Sequence, residues 1–160
     1  MLNREERIAG GLYGLLIGDA LGVPYEFHRP ETIPSPEAIE YTPPPGFDRA
    51  HDRVPPGTWS DDGAHALCLL DSLTYQKRLD CEDLGRRLVN WQDWGYLAVD
   101  GEVVKSAIRL GHDTDTTACV AGGIAGLIHG LNGIPHRWRS QLRGQELVEP
   151  LVARLMKSLG

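Results

Sequence analysis

The sequence predicts an all-α fold, a compact orthogonal globule of about six to seven helices. Apolar residues recur every three to four positions through most of the chain, the spacing that buries one face of a helix. No segment shows a convincing alternation of apolar and polar residues of the kind that marks a half-buried strand. The length of 160 residues is that of one domain, so we treat residues 1–160 as a single domain with one core.

Three helices are predicted in the first hundred residues. The first begins near the amino terminus, the second follows the polar triplet at 60–62, and the third begins after Asp80, a suitable N-cap. Their predicted core-facing residues are Ile8, Leu12, Leu15, Leu16 and Ala20, then Ala64, Leu67, Cys68, Leu70 and Leu73, then Leu84, Leu88 and Trp91.

Four more helical segments are predicted in the remainder. They are a short helix over 102–110, a helix that begins near Thr114, a helix with Pro135 as its first residue, and a last helix from about Gln145. The buried residues predicted for the helix near Thr114 are Ala118, Ala121, Ile124, Ala125 and Ile128.

Proline is concentrated between the first two helices. Eight of the eleven prolines lie from Pro30 to Pro56, and such a segment can be neither a helix nor an inner strand. We therefore predict one long surface loop over residues 28–57. A loop of this length is either a functional lid or rim, or a tolerated insertion.

Glycines form two stripes at a spacing of four residues. Gly10, Gly14, Gly18 and Gly22 share one helix face, as do Gly122, Gly126 and Gly130. Glycine inside a helix costs about 0.5–1 kcal/mol relative to alanine, so these positions need a reason. We expect both helices to be central and to approach other helices near the lower end of the usual range of roughly 8–10 Å.

The composition excludes some classes of partner. A formal net charge of −6 argues against a nonspecific nucleic-acid binder, which needs a basic face. The three cysteines form no CxxC pair and are read as reduced thiols, which favours a cytoplasmic protein. The apolar stretch near the amino terminus is short and is interrupted by Asp19, so neither a signal peptide nor a membrane span is expected.

Two acidic clusters, at 60–62 (Ser-Asp-Asp) and at 113–116 (Asp-Thr-Asp-Thr), precede helical runs. Helix capping explains one residue of each cluster, because Ser, Asp and Thr are preferred N-caps. The alternative is a metal site: four carboxylates balance the charge of two divalent cations, and oxygen ligands suit Mg²⁺ or Mn²⁺ better than Zn²⁺. Both interpretations stay open on spacing alone.

At this point the chain resembles the ADP-ribosylglycohydrolase family. The resemblance is carried by GLLIGDALG at 14–22 with Glu26, by GTWSDD at 57–62, and by LGHDTDTTA at 110–118. It implies an all-α fold with two Mg²⁺ or Mn²⁺ ions, and it assigns as their ligands Ser60, Asp61, Asp62, Asp113, Asp115 and Thr116.

The resemblance also implies a reaction. Relatives hydrolyse the bond between ADP-ribose and an arginine or serine side chain or a related conjugate, so ADP-ribose or an ADP-ribosylated protein is the expected partner. Glu26 matches a carboxylate that lies beside the metals and gates the cleft, and Asp62 is a candidate base. Gly111, His112 and Asp113 are the candidate substrate-binding residues, although a packing role for His112 competes with this assignment. His51 in the proline-rich loop is either a diphosphate contact or a solvated side chain.

One departure from the family pattern bears on function. Relatives carry several more helices between the second and third blocks, including a segment that helps to hold the distal ribose and the diphosphate. Without it the chain is a minimal hydrolase, a non-catalytic ADP-ribose-binding remnant, or a hydrolase of a smaller compound. The loss should also expose apolar surface, so we predict a homodimer whose interface includes Val103, Val104 and Ile108.

Overall fold

The computed structural model describes residues 2–99 and 114–159, and the described part is all-α with no strand. Its helices are α1 (Arg4–Gly22), α2 (Asp61–Gln76), α3 (Cys81–Trp94), α4 (Thr114–His129), α5 (His136–Gln141) and α6 (Gln145–Leu159). Short 3₁₀ turns lie at Val23–Tyr25, Pro30–Thr32, Pro36–Ala38 and Leu131–Gly133. The predicted fold class is confirmed, whereas the helix expected over 102–110 lies outside the described residues.

The helix starts follow local capping chemistry. Asn3 begins α1 with a capping box. Its side-chain oxygen accepts from the backbone amide of Glu6 at 2.7 Å, and its own backbone amide donates to the Glu6 carboxylate at 3.0 Å. The carboxylate of Asp80 accepts from the Asp83 amide at 3.0 Å, so the predicted N-cap of α3 is confirmed. Pro135 is the residue immediately before α5, one position earlier than predicted.

The glycine stripes bring α1 and α4 into main-chain contact with each other; a close helix approach was predicted, but not this pairing. A Cβ atom placed on Gly14 would lie 2.2 Å from the carbonyl oxygen of Gly122, and one on Gly126 would lie 1.8 Å from that of Gly10. Any side chain larger than hydrogen would therefore separate the two helices. By length and composition alone the segment Arg4–Tyr25 could cross a membrane. However, 67% of the 18-residue stretch that meets this criterion is buried within the fold.

The buried face predicted for α4 is wrong. Ile124 and Ile128 are 54% and 56% exposed, and Ala121 and Ala125 are exposed as well. The residues of α4 that are fully buried are Asp115, Cys119 and Gly126. At 100° per residue, the isoleucines lie roughly opposite the glycine stripe. Because the main-chain contact with α1 decides which face is inside, the apolar face points outwards.

The core lies between α1, α2 and α6. Trp59, Leu67 and Val148 are almost completely buried there, and the Trp59 indole donates to the Leu97 carbonyl oxygen at 3.3 Å. Trp94, the last residue of α3, is 84% exposed. Leu97, in contrast, belongs to the core despite its place outside any helix.

A buried ionic cluster centred on Asp71 joins three helices. The Asp71 carboxylate of α2 accepts from Arg154 of α6 at 2.6 Å, and it also contacts Arg87 of α3 and the Tyr96 hydroxyl. Arg87 in turn donates to Asp83 at 2.7 Å. A carboxylate with this many donors is well compensated for its burial, and removal of a single partner would leave charge unbalanced.

The proline-rich segment contains no α-helix, but it does not lie wholly on the surface. Tyr41 is buried and donates its hydroxyl to the Trp138 carbonyl oxygen at 3.1 Å, and Val54 is also buried. The prediction of a surface loop over 28–57 is therefore wrong for these residues. Prolines prevent regular structure in the segment, yet its few large side chains still reach apolar neighbours.

Candidate functional site

The amino terminus of α2 is held by a carboxylate from α1. Asp19 is completely buried, and its carboxylate accepts from the Ser60 amide at 3.0 Å and from the Gly63 amide at 2.7 Å. Burial raises the pKa of Asp19 well above its ordinary value, although these backbone hydrogen bonds oppose the shift. Asp19 thus fixes the start of α2 relative to α1, a role for which the sequence analysis did not select it.

Helices α2 and α4 meet through their first turns. The hydroxyl of Thr116 donates to Asp62 Oδ2 at 2.6 Å, and the Thr116 amide donates to Asp115 Oδ1 at 3.0 Å. The Ser60 hydroxyl accepts from the Asp62 amide at 3.3 Å and caps α2. Two polar clusters more than fifty residues apart in the chain therefore form one patch.

Glu26 and Asp115 place two carboxyl groups together beneath this patch. Both are only 2% exposed. The pKa of Asp115 is raised to about 7, first by burial, then by contact with the Glu26 carboxyl group and its charge, and then by the charge of Asp62. The hydrogen bond from the Thr116 amide acts in the opposite direction and lowers this pKa. Such a crowded acidic pair favours either a shared proton or a bound cation.

Glu26 has a second neighbour in the proline-rich segment. The Nε2 atom of His51 contacts Glu26 Oε2, and the His51 side chain is largely buried. Within the described part of the chain, no N–H or O–H donor reaches the buried Oε1 atom of Glu26. The sequence gives no local signal for this contact, because the two residues are 25 positions apart.

The other predicted site residues differ in how far they can be placed. Asp61 is the first residue of α2 and is half-buried. Gly111, His112 and Asp113 lie outside the described residues. Across residues 2–99 and 114–159, no three His, Cys, Asp or Glu side chains form a group that could hold a metal ion. The structure therefore brings together Glu26, Ser60, Asp62, Asp115 and Thr116, while the complete ligand set stays a prediction.

The family is settled by comparison with known proteins. The model of the ADP-ribosylglycohydrolase family matches this chain over residues 1–102 and again over residues 96–160. Together the two matches cover the whole sequence, so the chain belongs to the ADP-ribosylglycohydrolase family. The matches overlap at residues 96–102, between the second and third sequence blocks.

Similar curated proteins are much longer than this chain. ADP-ribosylarginine hydrolase Tri1 of Serratia proteamaculans (strain 568) is 32% identical over 96 residues, which are 60% of this chain and 24% of Tri1. ADP-ribosylhydrolase ARH3 of Danio rerio is 43% identical over 49 residues, 31% of this chain and 13% of ARH3. The chain thus spans about a quarter or less of these relatives. No solved structure matches it significantly.

Proposed function

We propose that the protein is a divalent-metal-dependent hydrolase that cleaves the glycosidic bond between ADP-ribose and a protein side chain. The observation that carries the proposal is the meeting of α2 and α4 at the Thr116–Asp62 hydrogen bond, with Asp115 and Glu26 directly beside it. Family membership and the printed names of Tri1 and ARH3 support ADP-ribose chemistry. Tri1, the relative named for ADP-ribosylarginine, aligns over more of the chain than ARH3, so arginine is our first choice of acceptor and serine our second.

The donor chemistry of the patch fits a hard divalent cation. Asp62, Asp115 and the hydroxyls of Ser60 and Thr116 offer oxygen ligands only, which suit Mg²⁺ or Mn²⁺. Burial first, and then the neighbouring Glu26 and Asp62, raise the pKa of Asp115, and a bound cation would favour its ionised form. With Asp61 and Asp113 added from the resemblance, the set would hold two cations, which would supply an activated water and a polarised ribose.

The chain's own residues would then serve the hydrolysis directly. Asp62, oriented by the Thr116 hydroxyl, accepts the proton of the attacking water as that water bonds to the anomeric carbon. The bond between the anomeric carbon and the side-chain nitrogen or oxygen breaks, its electron pair stays on that atom, and the atom takes up a proton from solvent water. Glu26 lies where a carboxylate can stabilise positive charge on the ribose ring. Gly111, His112 and Asp113 are proposed to contact the substrate.

A non-catalytic ADP-ribose-binding protein is the alternative. The support for it is that the family segment which helps to hold the distal ribose and the diphosphate was not found between the second and third sequence blocks. A binder would keep affinity for free ADP-ribose without turnover. A hydrolase of a smaller ribosyl compound is a third hypothesis and would turn over substrates that lack the full diphosphate arm.

We further propose that the protein is a homodimer. The predicted interface residues Val103, Val104 and Ile108 lie outside the described residues. The support comes instead from α4, whose outer face exposes Val120, Ile124, Leu127 and Ile128. Apolar faces of this kind are uncommon on monomers and often mark an interface.

A turnover assay separates the enzyme from the binder. ADP-ribosylated arginine and serine peptides are incubated with the protein in Mg²⁺, in Mn²⁺ and with a chelator, and released ADP-ribose is measured. We expect release only with metal, and we expect Asp62→Asn to abolish it. Asp48→Asn, at an exposed carboxylate in the proline-rich segment, is the matched control and should keep full activity. Tight ADP-ribose binding without release would instead establish the binding protein.

A further inference from the structure

We propose that His51 is a positioning residue that holds the Glu26 carboxylate in place beside Asp115. The inference rests on the proposed function for its catalytic consequence, but the contact itself is a feature of the fold. From the sequence, His51 was expected to be either a diphosphate contact or a solvated side chain. The structure gives it a different neighbour.

The contact joins two buried side chains. His51 Nε2 lies against Glu26 Oε2, with the side chain of His51 14% exposed and that of Glu26 3% exposed. The other flank of Glu26 is the carboxyl group of Asp115. Glu26 therefore lies between Asp115 and His51, and a carboxyl group with a fixed neighbour on each side has little freedom to rotate. The imidazole is the neighbour that the proline-rich segment supplies.

Local backbone strain marks the same place. Phe27, the residue after Glu26, has a φ of 66°, and His51 itself has a φ of 51°. Left-handed backbone is uncommon for residues with a side chain, and it persists where the surrounding structure holds it. The rings of Phe27 and His51 also pack together, with centroids 5.4 Å apart. The residue after Glu26 and the residue that contacts its carboxylate are thus both held in this conformation.

Hydrogen bonds attach the His51 turn to the segment that carries Glu26. The Ala50 amide donates to the Pro24 carbonyl oxygen at 2.9 Å, and the Val54 amide donates back to the His51 carbonyl oxygen at 2.9 Å. Arg49 donates to the Val54 carbonyl oxygen at 2.8 Å and closes the turn. The imidazole is therefore carried by an ordered turn, and it can fix a carboxylate with little loss of side-chain freedom.

His28 provides a matched control in the same segment. Its Nδ1 atom lies 2.8 Å from the backbone carbonyl oxygen of Glu26, and its ring packs on Phe47 with centroids 4.5 Å apart. His28 thus supports the loop without touching the carboxylate. Replacement of His28 by alanine should loosen the loop but leave the position of the Glu26 carboxyl group unchanged.

The test compares kcat and KM with the melting temperature for His51→Ala, His51→Gln and His28→Ala, on ADP-ribosylated arginine peptide in Mg²⁺. We expect His51→Ala to lower kcat about ten- to a hundredfold with little change in KM, because the Glu26 carboxylate would no longer be held in place. Glutamine keeps a side-chain N–H donor, so His51→Gln should recover most of the lost kcat. His28→Ala should lower the melting temperature and keep kcat. A kcat for His51→Ala equal to that of His28→Ala would overturn the proposal.

A second readout does not depend on turnover. The imidazole ¹⁵N shifts of His51 are recorded in the wild type and in Glu26→Gln. A change in the Nε2 shift supports the pairing, and unchanged shifts overturn it. If the wild type releases no ADP-ribose from any substrate, the proposed function fails, while the ¹⁵N comparison still decides whether His51 holds Glu26.

Discussion

Thr116 donates its hydroxyl hydrogen to Asp62 across 2.6 Å, and this hydrogen bond joins the first turn of α4 to the first turn of α2. In α2, the capping residue Ser60 and the residue that contacts α4, Asp62, are two positions apart. Capping of α2 therefore does not exclude a polar patch between the two helices. Ser60 caps α2 and Asp115 accepts from the Thr116 amide, while the neighbouring carboxylates accumulate between the two helices.

Thr116→Val tests this hydrogen bond. Valine keeps the shape but removes the donor, so Asp62 loses its orientation and turnover should fall at least tenfold. The free energy of unfolding should drop by only about 1 kcal/mol, the usual worth of one hydrogen bond. Kinetics together with urea unfolding measure both quantities. Thr116→Ser keeps the hydroxyl and should remain close to wild type; equal loss in both variants would show that the methyl group is what matters.

Divalent cations should stabilise the protein. A ligand that binds only the native state at a hundredfold excess over its Kd adds about 2.7 kcal/mol, or about 5–10 °C in melting temperature for a chain of this size. We expect this shift with Mg²⁺ or Mn²⁺ and its loss in Asp62→Asn and Asp115→Asn. Asp48→Asn should keep the shift. The absence of any metal-dependent shift in the wild type would contradict the metal site.

The contact of α1 with α4 should not tolerate a methyl group. Gly14→Ala would place its Cβ 2.2 Å from the Gly122 carbonyl oxygen, so the free energy of unfolding should fall by about 1–3 kcal/mol. The matched control is Gly85→Ala in α3, where no atom lies within 4 Å of an added Cβ. Because alanine favours helix there, Gly85→Ala should stabilise by about 0.5–1 kcal/mol. Thermal unfolding of both variants, which should shift in opposite directions, is the measurement.

The stability of the α3 region should fall in acid. The Arg87 guanidinium, by hydrogen bonding to Asp83, lowers the pKa of that carboxyl group to about 2. The unfolded chain, with an ordinary Asp pKa near 3.9, binds the proton more readily than the folded one. The contribution of Asp83 is thus complete above about pH 4 and is lost as the pH falls towards 2. Urea unfolding of Asp83→Asn across this range should show a shallower acid loss than wild type, whereas Asp48→Asn should follow the wild type.

The exposed apolar face of α4 should mediate self-association. Light scattering at micromolar concentration should give twice the chain mass of 17.6 kDa. Ile124→Asp should convert the protein to a monomer, because a charge would be buried without a partner. Val89→Asp, at an exposed position on α3, should leave the dimer intact. A wild-type mass of one chain would sink the dimer proposal.

The sequence predicted most of the helices and the inner faces of α1, α2 and α3 apart from the exposed Leu73, but not the inner face of α4. The start of α3 at Cys81 carries a local capping signal, Asp80, which was read correctly, and α2 begins at Asp61 directly after its N-cap Ser60. The orientation of α4 depends on a contact with α1 more than a hundred positions away, and its apolar pattern pointed to the wrong side. The family blocks identified Glu26, Asp62, Asp115 and Thr116. His51 and Asp19 act through long-range contacts, for which no sequence spacing gives a signal.

The main-chain contact between α1 and α4 has a consequence for how the molecule can vary. Gly22 lies against the backbone of Asp115, where an added Cβ would be 2.3 Å from the Asp115 Cα atom. The distance between the end of α1 and the start of α4 is thus set by atoms that have no rotamers and cannot adjust. In a saturation library of α4, tolerance to substitution should therefore follow the helical period. Positions 118, 122 and 126 should accept almost nothing larger than the native residue. Positions 120, 124 and 127 should accept nearly any side chain that preserves the proposed dimer.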